Sequence, residues 1–200
     1  TDKFEYVGGL YYFDDDAKYS RTSTALVPAA PIGNTRYKLT TEAWAAYGQT
    51  TWTPGWIEDR LSFTAGLRYT DEGKDIKWNN AEQISALRPP TPAAQASDDK
   101  NFDNVSGNFT VAYQAADDVN TYLRYGNGYR SGGFNGESFA SDPFEEESMD
   151  QYELGVKSEW LDSRLRVNGS LYTYTYDDMQ VSLIDVSSGT PSSIITNAGK

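Results

Sequence analysis

The sequence has 200 residues and a formal charge of -12, with 17 lysines and arginines against 29 aspartates and glutamates. This acidic balance argues against nucleic acid as a partner, because phosphate binding needs a basic face. The chain has no cysteine and no histidine, which removes disulfides, thiolate metal sites and the commonest general base. We therefore expect a protein that is not an enzyme and that has no cofactor and no metal site.

Apolar and polar residues alternate in segment after segment, which is the pattern of β-strands rather than helices. In chain order, the pattern predicts strands at 4–14, 38–53, 60–73, 102–115, 119–131, 149–161 and 164–183, and the start of another at 193–200. Several of these segments reach the roughly 9–11 residues that a tilted strand needs to cross a bilayer, whereas strands of soluble sheets average about 5–6. The sequence therefore predicts an all-β protein, an antiparallel up-and-down transmembrane β-barrel segment of about eight strands.

Charged residues in these segments recur on the polar side of the alternation. In 60–73, Leu61 to Tyr69 supply one apolar face, while Arg68 falls on the other with serines, threonines and a glycine. In a membrane barrel a charge has to face the lumen rather than lipid. The residues that we expect to face the lumen are Arg68, Arg124, Arg130, Glu153 and Lys157, although ordinary solvated positions in a soluble sheet fit them equally well.

The connections between the predicted strands alternate in length. Those near 53–59, 115–119 and 161–163 are short, and those at 15–37, 74–101 and 132–148 are long, polar and rich in proline, glycine, serine and aspartate. Short turns on one side and long loops on the other are typical of outer-membrane barrels, whereas loops of this length are uncommon in compact soluble domains. We therefore expect the three long segments to be loops on one side of a membrane.

Aromatic residues gather near the ends of the predicted strands. Trp52, Trp56 and Trp160 lie beside short turns, and Tyr11–Phe13 and the tyrosines at 172, 174 and 176 lie toward long connections. Aromatic rings with a polar tip favour the membrane–water boundary, so this placement predicts two aromatic girdles. Ordinary strand-forming residues of a soluble sheet are the alternative interpretation.

The segment GNGYRSGGFN at 126–135 is rich in glycine but does not match a dinucleotide-binding loop, because Ser131 replaces the third glycine and no helix follows. Alternation instead predicts a strand that places Tyr129 on the face of Leu123 and Tyr125. The segment SGGFN would then lead into an external loop. The residues that we expect near an external vestibule are Tyr129, Arg130, Phe134 and Asn135.

Five motifs occur in order along the chain: YVGGLYYF, LSFTAGLRYTDEGKD, YLRYGNGYRSGGFN, MDQYELGVKSEWLDSRLRVNGSLYTYTYDDMQV and ITNAGK. Together they resemble the β-barrel region of TonB-dependent outer-membrane receptors of Gram-negative bacteria. The resemblance covers most of the chain except the long loops. It implies a location in the outer membrane, in contact with its lipid.

The resemblance also implies a 22-stranded barrel that is closed by an N-terminal plug domain. Such receptors take up a scarce ligand, most often a ferric siderophore, and the partner TonB supplies the energy. Since 1–200 shows no plug and no coupling motif, we expect it to be a partial barrel domain that cannot transport alone.

Two other functions fit parts of the sequence. A self-contained eight-stranded outer-membrane barrel with a structural or adhesive role requires that the strand at 4–14 pair with the one at 193–200. A soluble secreted β-protein that binds glycans through its tyrosines requires strands of about five residues.

Overall fold

The computed structural model describes residues 3–26, 29–80, 83–85, 88–91, 94–138, 142–185 and 192–199. These residues form β-strands almost throughout, with one 3-10 turn at Gly55–Ile57. Within the described ranges, no helix has the length and apolar character needed to span a membrane.

Seven strands form one antiparallel sheet in the order β1-β2-β3-β6-β7-β8-β9, and two hairpins, β4–β5 and β10–β11, stand outside it. The bounds are β1 Lys3–Leu26, β2 Ala29–Thr53, β3 Leu61–Asn80, β4 Gln83–Ser85, β5 Arg88–Thr91, β6 Ala94–Ala116, β7 Val119–Arg130, β8 Glu147–Trp160, β9 Leu165–Asp177, β10 Met179–Asp185 and β11 Ser192–Ala198. The prediction of an all-β, up-and-down antiparallel segment is confirmed.

The sheet is open among the described residues. Strand β1 pairs with β2, strand β9 pairs with β8, and strand β11 pairs with β10 rather than with β1. The alternative of a small barrel closed by 4–14 and 193–200 is therefore wrong.

Two of the three predicted long loops are mostly strand. The ladder between β1 and β2 continues through the described residues of 15–37, and β3 and β6 extend through most of 74–101. Polar residues stabilise the extension by pairing across strands. The Lys38 Nζ lies 2.6 Å from Asp16 Oδ1, and the rings of Tyr19 and Tyr37 stack at 4.8 Å. In the third segment, 132–148, the described residues before β8 form only an isolated bridge between Gly133 and Phe144.

The predicted strand at 164–183 divides at Asp178. Its φ of 53° puts the backbone in the left-handed region, which aspartate tolerates better than most residues. Strand β9 ends just before it, and β10 leaves the sheet to pair with β11.

The strand register separates an apolar face from a polar face. On the apolar face, one unbroken cross-strand row contains Phe4, Trp52, Phe63, Val111, Leu123, Leu154 and Leu171. On the polar face, the adjacent row contains Glu5, Thr51, Thr64, Thr110, Arg124, Glu153 and Tyr172. The alternation predicted from the sequence therefore holds across seven strands.

The apolar face has an uncharged band with sharp limits. No charged residue occupies its alternate positions in 4–12, 44–52, 61–69, 105–113, 119–125, 152–160 or 165–173. From Phe4 to Tyr12 the band measures about 26 Å along the strand, or ~20 Å in height at a tilt of about 40°. The next positions on the same face carry Asp14, Glu42, Asp71, Asp103 and Asp150.

Candidate functional site

A groove, called here the polar-face groove, crosses the middle of the polar face. Strands β2, β3, β6, β7 and β8 all contribute to it. The principal side chains that line it are those of Tyr47, Arg68, Asn108, Arg124, Gln151 and Glu153. Glycines form part of its floor, and a Cβ added at Gly128 would meet no atom within 4 Å, which shows that the groove is open there.

Two contacts hold the Arg68 side chain in place in this groove. Its Nε donates to Thr70 Oγ1 at 3.0 Å, and its guanidinium carbon lies 5.1 Å from the centroid of the Tyr11 ring. A hydrogen bond and a cation–π contact together fix the orientation of the guanidinium. Tyr11 therefore faces the polar side of the sheet.

A second cavity adjoins the groove and shares Arg68 with it. Tyr129 lines this cavity together with Thr70 and Glu72. Alternation predicts Tyr129 on the opposite face, with Leu123 and Tyr125, so that expectation is wrong. The β6–β7 ladder ends close by at the pair Gly107–Asn127, where Asn127 Oδ1 accepts the backbone N–H of Gly107 at 2.7 Å.

Glu153 and Lys157 both contact Tyr122 on the polar face. The Tyr122 hydroxyl donates to Glu153 Oε1 at 2.6 Å, and Lys157 Nζ lies 5.5 Å from the centroid of the Tyr122 ring. The ring lies directly over the backbone of Gly155, in the space that a side chain there would fill. The structure thus places Arg68, Arg124, Glu153 and Lys157 on one face.

The tyrosines of β9 face the polar side. Tyr172 pairs in register with Glu153, and its ring stacks on that of Tyr174 at 6.1 Å. Tyr174 in turn contacts Tyr176 edge-on at 5.6 Å. The girdle interpretation is therefore wrong for these three residues. It is also wrong for Tyr11 and Phe13, because the alternation along β1 places both on the polar face, opposite to the apolar band.

The girdle interpretation fits the tryptophans better. Trp52 stacks between Phe4 and Phe63 on the apolar face, with ring centroids at 6.1 Å and 5.5 Å. Trp160 lies on the same face, opposite Leu165. The side chain of Trp56 lies outside the described residues.

The segment 131–138, called here the inner segment, folds over the polar face. Lys74 Nζ donates to Ser131 Oγ at 2.8 Å and to the Gly132 carbonyl at 2.7 Å. Further along, Trp78 Nε1 donates to the Gly136 carbonyl at 3.0 Å, and the Trp78 ring meets Phe134 edge-on at 6.4 Å. Sequence reasoning missed Lys74 and Trp78 because they fall in a predicted loop.

Asn135 fastens the inner segment to the β10–β11 hairpin. Its Nδ2 donates to the Ile195 carbonyl at 2.9 Å, and its Oδ1 accepts the Ile195 N–H at 2.6 Å. Only 7% of Asn135 is exposed. Arg130, by contrast, is exposed and lies 3.9 Å from Glu147. A place near an external ligand vestibule remains a prediction for Tyr129, Arg130, Phe134 and Asn135.

Two acidic groups near the inner segment have distinct surroundings. Glu137 accepts hydrogen bonds from Tyr19 at 2.5 Å and Arg21 at 2.8 Å, and the first of these bonds raises the pKa of Tyr19 above its ordinary value. Burial raises the pKa of Glu146 above its ordinary value, and the charge of Asp103 adds to this effect.

A family model described as "TonB dependent receptor-like, beta-barrel" matches residues 2–200. The chain belongs to this family. The resemblance seen in the sequence is thereby confirmed. The family is one of transport receptors rather than enzymes, and its members are outer-membrane proteins of Gram-negative bacteria, which locates the chain there.

Curated relatives of this TonB-dependent receptor barrel include the pesticin receptors of Yersinia enterocolitica and Yersinia pestis. Each is 30% identical to the chain over 197 residues. The match covers 97% of the chain and 27% of each relative, so the chain spans about a quarter of their length.

Solved receptor structures share the fold. The ferric yersiniabactin uptake receptor FyuA from Yersinia pestis superposes with a TM-score of 0.78 at 24% identity, over 98% of this chain and 27% of that one. The copper transporter OprC gives 0.69 at 16% identity, over 98% and 30%. The closed form of the ferric-catecholate import receptor Fiu from K12 E. coli gives 0.68 at 15% identity, over 100% and 33%.

The outer-membrane location explains the uncharged band. An apolar band about 25 Å tall, with aromatic residues at its limits, is the lipid-facing surface of such barrels. The band between Phe4 and Tyr12 has this chemistry and, at ~20 Å, a similar height, and acidic positions follow directly beyond it. The polar-face groove lies on the face opposite to this band.

Proposed function

We propose that residues 1–200 are part of the barrel wall of a TonB-dependent receptor that imports a scarce ligand, most specifically a ferric siderophore. The observation that carries this proposal is the groove on the face opposite to lipid, in a chain of the TonB-dependent receptor family. The chain has no proposed catalytic role; its role is to bind and conduct a solute.

The chemistry of the two faces supports this proposal. The apolar face offers a solute no charged group within the band, whereas the polar face offers guanidinium, amide, hydroxyl and phenol groups. Relatives with the same fold are named for ferric yersiniabactin and ferric-catecholate import. In this proposal Arg68, Arg124, Glu153 and Lys157 face the lumen.

The four vestibule residues divide by role in this proposal. Tyr129 and Arg130 contact the entering ligand, because Tyr129 lines the second cavity beside the groove and Arg130 is exposed. Phe134 and Asn135 hold the inner segment in place through their contacts with Trp78 and Ile195. A plug domain and TonB are the proposed partners, supplied with the remaining strands by the part of the receptor outside 1–200.

Growth under iron limitation tests the proposal. A strain that lacks the gene is supplied with single ferric siderophores as its sole iron source, and uptake of radioactive iron is measured. We expect the deletion to abolish growth and uptake for at least one siderophore, and the full-length gene to restore both only when TonB is present. Normal uptake of every siderophore by the deletion strain would contradict the proposal.

A further inference from the structure

Most cations that contact the polar face have a carboxylate partner. Lys3 lies 2.6 Å from Asp59, Lys74 lies 3.0 Å from Glu72, and Arg166 pairs with Glu159. Lys157, which lies against the Tyr122 ring, has no carboxylate partner in the described part of the chain, and neither have Arg68 and Arg124. Both arginines line the polar-face groove.

Arg124 has a carboxylate beside it in register, yet that carboxylate is engaged elsewhere. Glu153 accepts the Tyr122 hydroxyl at 2.6 Å and the Gln151 side-chain amide at 3.3 Å. The Nε of Arg124 lies 4.0 Å from the point where a Cβ of Gly126 would stand, so the guanidinium extends over glycine backbone. No described residue forms a hydrogen bond with the Arg124 guanidinium, which leaves its donors available.

Arg68 presents its remaining donors to the same groove. Its Nε is used by Thr70, and Tyr11 covers one side of the guanidinium, so the terminal nitrogens stay free among the described residues. Asn108 lies between the two arginines, on the strand that separates β3 from β7. The groove thus combines two cations with a neutral amide donor on a floor of glycine.

We propose that Arg68 and Arg124 together bind a carboxylate-bearing group in the polar-face groove. A guanidinium matches a planar carboxylate with two parallel hydrogen bonds, and such charge-assisted bonds are stronger than neutral ones. An anion between the two cations also removes their mutual repulsion. The inference rests on the proposed function, because it requires that this face line the lumen.

The carboxylate has two possible sources with the same chemistry. It belongs either to the imported solute or to an acidic side chain of the receptor outside residues 1–200. The full-length receptor, purified in detergent, separates the two sources through its thermal unfolding midpoint. The probe is tricarballylate, a tricarboxylate without the hydroxyl that helps citrate chelate iron, and sodium chloride of equal ionic strength is the reference.

A solute site predicts that tricarballylate raises the unfolding midpoint of the wild-type receptor. The Arg68→Gln/Arg124→Gln variant should then bind the probe at least tenfold more weakly. Arg166→Gln is the matched control, since Arg166 lies on the same face but already has a carboxylate partner. It should leave the affinity for the probe unchanged.

An internal carboxylate predicts a different result. The probe then has no effect, and Arg124→Gln alone lowers the unfolding midpoint, although it removes no hydrogen bond within the described chain. Restoration of the midpoint by Arg124→Lys would show that the charge is responsible. No response to the probe, together with an unchanged midpoint in Arg124→Gln, would overturn the inference. The iron-uptake result is independent of these midpoints, so a failure of the proposed function is recognised separately.

Discussion

Tyr122 and Gly155 show how single residues shape the polar face. They are cross-strand partners in β7 and β8, and the tyrosine ring lies in the space that a Cβ at position 155 would occupy. A similar pairing joins Tyr47 to Gly9 in β2 and β1. In both cases the absence of a side chain on the glycine leaves room for an aromatic ring to cover the backbone. Each glycine therefore contributes to the packing of the neighbouring tyrosine.

Gly155→Ala is therefore expected to destabilise the barrel. The new methyl group has to displace the Tyr122 ring and its hydrogen bond to Glu153, and overpacking of this kind costs about 1–3 kcal/mol. Gly169→Ala is the control, because its Cβ would lie 4.0 Å from Val156 Cγ1, an ordinary contact. Urea unfolding of the full-length receptor measures the difference, and equal stabilities for both variants would contradict this packing role.

Asn135→Ala should loosen the β10–β11 hairpin from the inner segment. The variant leaves the partly buried N–H and carbonyl of Ile195 without these partners, and such a loss costs about 1–3 kcal/mol. Hydrogen exchange at the Ile195 amide is expected to accelerate by roughly tenfold or more. Ser193→Ala is the comparison, since the hydroxyl of Ser193 pairs with that of Ser182 across the hairpin. Similar acceleration in both variants would contradict the role of Asn135 in holding the hairpin.

At the scale of elements, sequence patterns located the strands better than their ends. Alternation placed all seven strands of the main sheet, because burial of one face imposes a period of two. It missed the extension of β1, β2, β3 and β6, since beyond the lipid band polar residues occupy both faces and the period disappears. Cross-strand pairs such as Asp16 with Lys38 and Tyr19 with Tyr37 hold these extensions, and such long-range pairs are invisible in a single segment.

The segment before β8 should respond to pH through Glu146. Its pKa is raised in the folded protein, so its contribution to stability is full below the ordinary pKa of glutamate and is lost as pH rises through the folded value. Glu146→Gln is expected to protect the segment more than wild type at pH 7 and to flatten its dependence on pH. Hydrogen exchange of residues 142–146 between pH 4 and pH 8 provides the measurement.

Asp103→Asn serves as the partial control for this prediction. It removes the charge that contributes after burial to the raised pKa of Glu146, so its pH dependence should fall between those of wild type and Glu146→Gln. A segment whose exchange has the same pH dependence in all three proteins would show that Glu146 does not control it.

At the scale of the whole molecule, the division into two faces is what the sequence predicted best. In each strand of the main sheet apolar and polar residues alternate, and the register aligns the apolar residues of neighbouring strands. Phe4 pairs with Trp52, and Leu154 pairs with Leu171, in one row. The candidate site was predicted less completely. The alternation of residues predicted which charged side chains line the groove. It did not predict the contacts of the inner segment with Lys74 and Trp78, which join residues 57 and 58 positions apart. Periodicity within one strand carries no information on such contacts.

Two adjacent residues of β9 test the assignment of the faces. Leu171 is 77% exposed on the apolar face, and Ser170 lies next to it on the polar face. Leu171→Arg is expected to cost about 2–4 kcal/mol, because it puts a charge into the lipid band, and to lower the amount of receptor in the outer membrane. Ser170→Arg should have a much smaller effect. Quantitative blotting of outer-membrane fractions compares them, and equal losses would refute the assignment.

The open borders of the sheet have a consequence for biogenesis. Strands β1 and β9 each present a row of amide and carbonyl groups that no strand of the described residues pairs with, and hydrocarbon provides no substitute for water there. Until neighbouring strands pair with them, these edge strands can form hydrogen bonds with other chains and cause aggregation. We therefore expect the barrel to close before or during its insertion as one unit, rather than to enter lipid strand by strand.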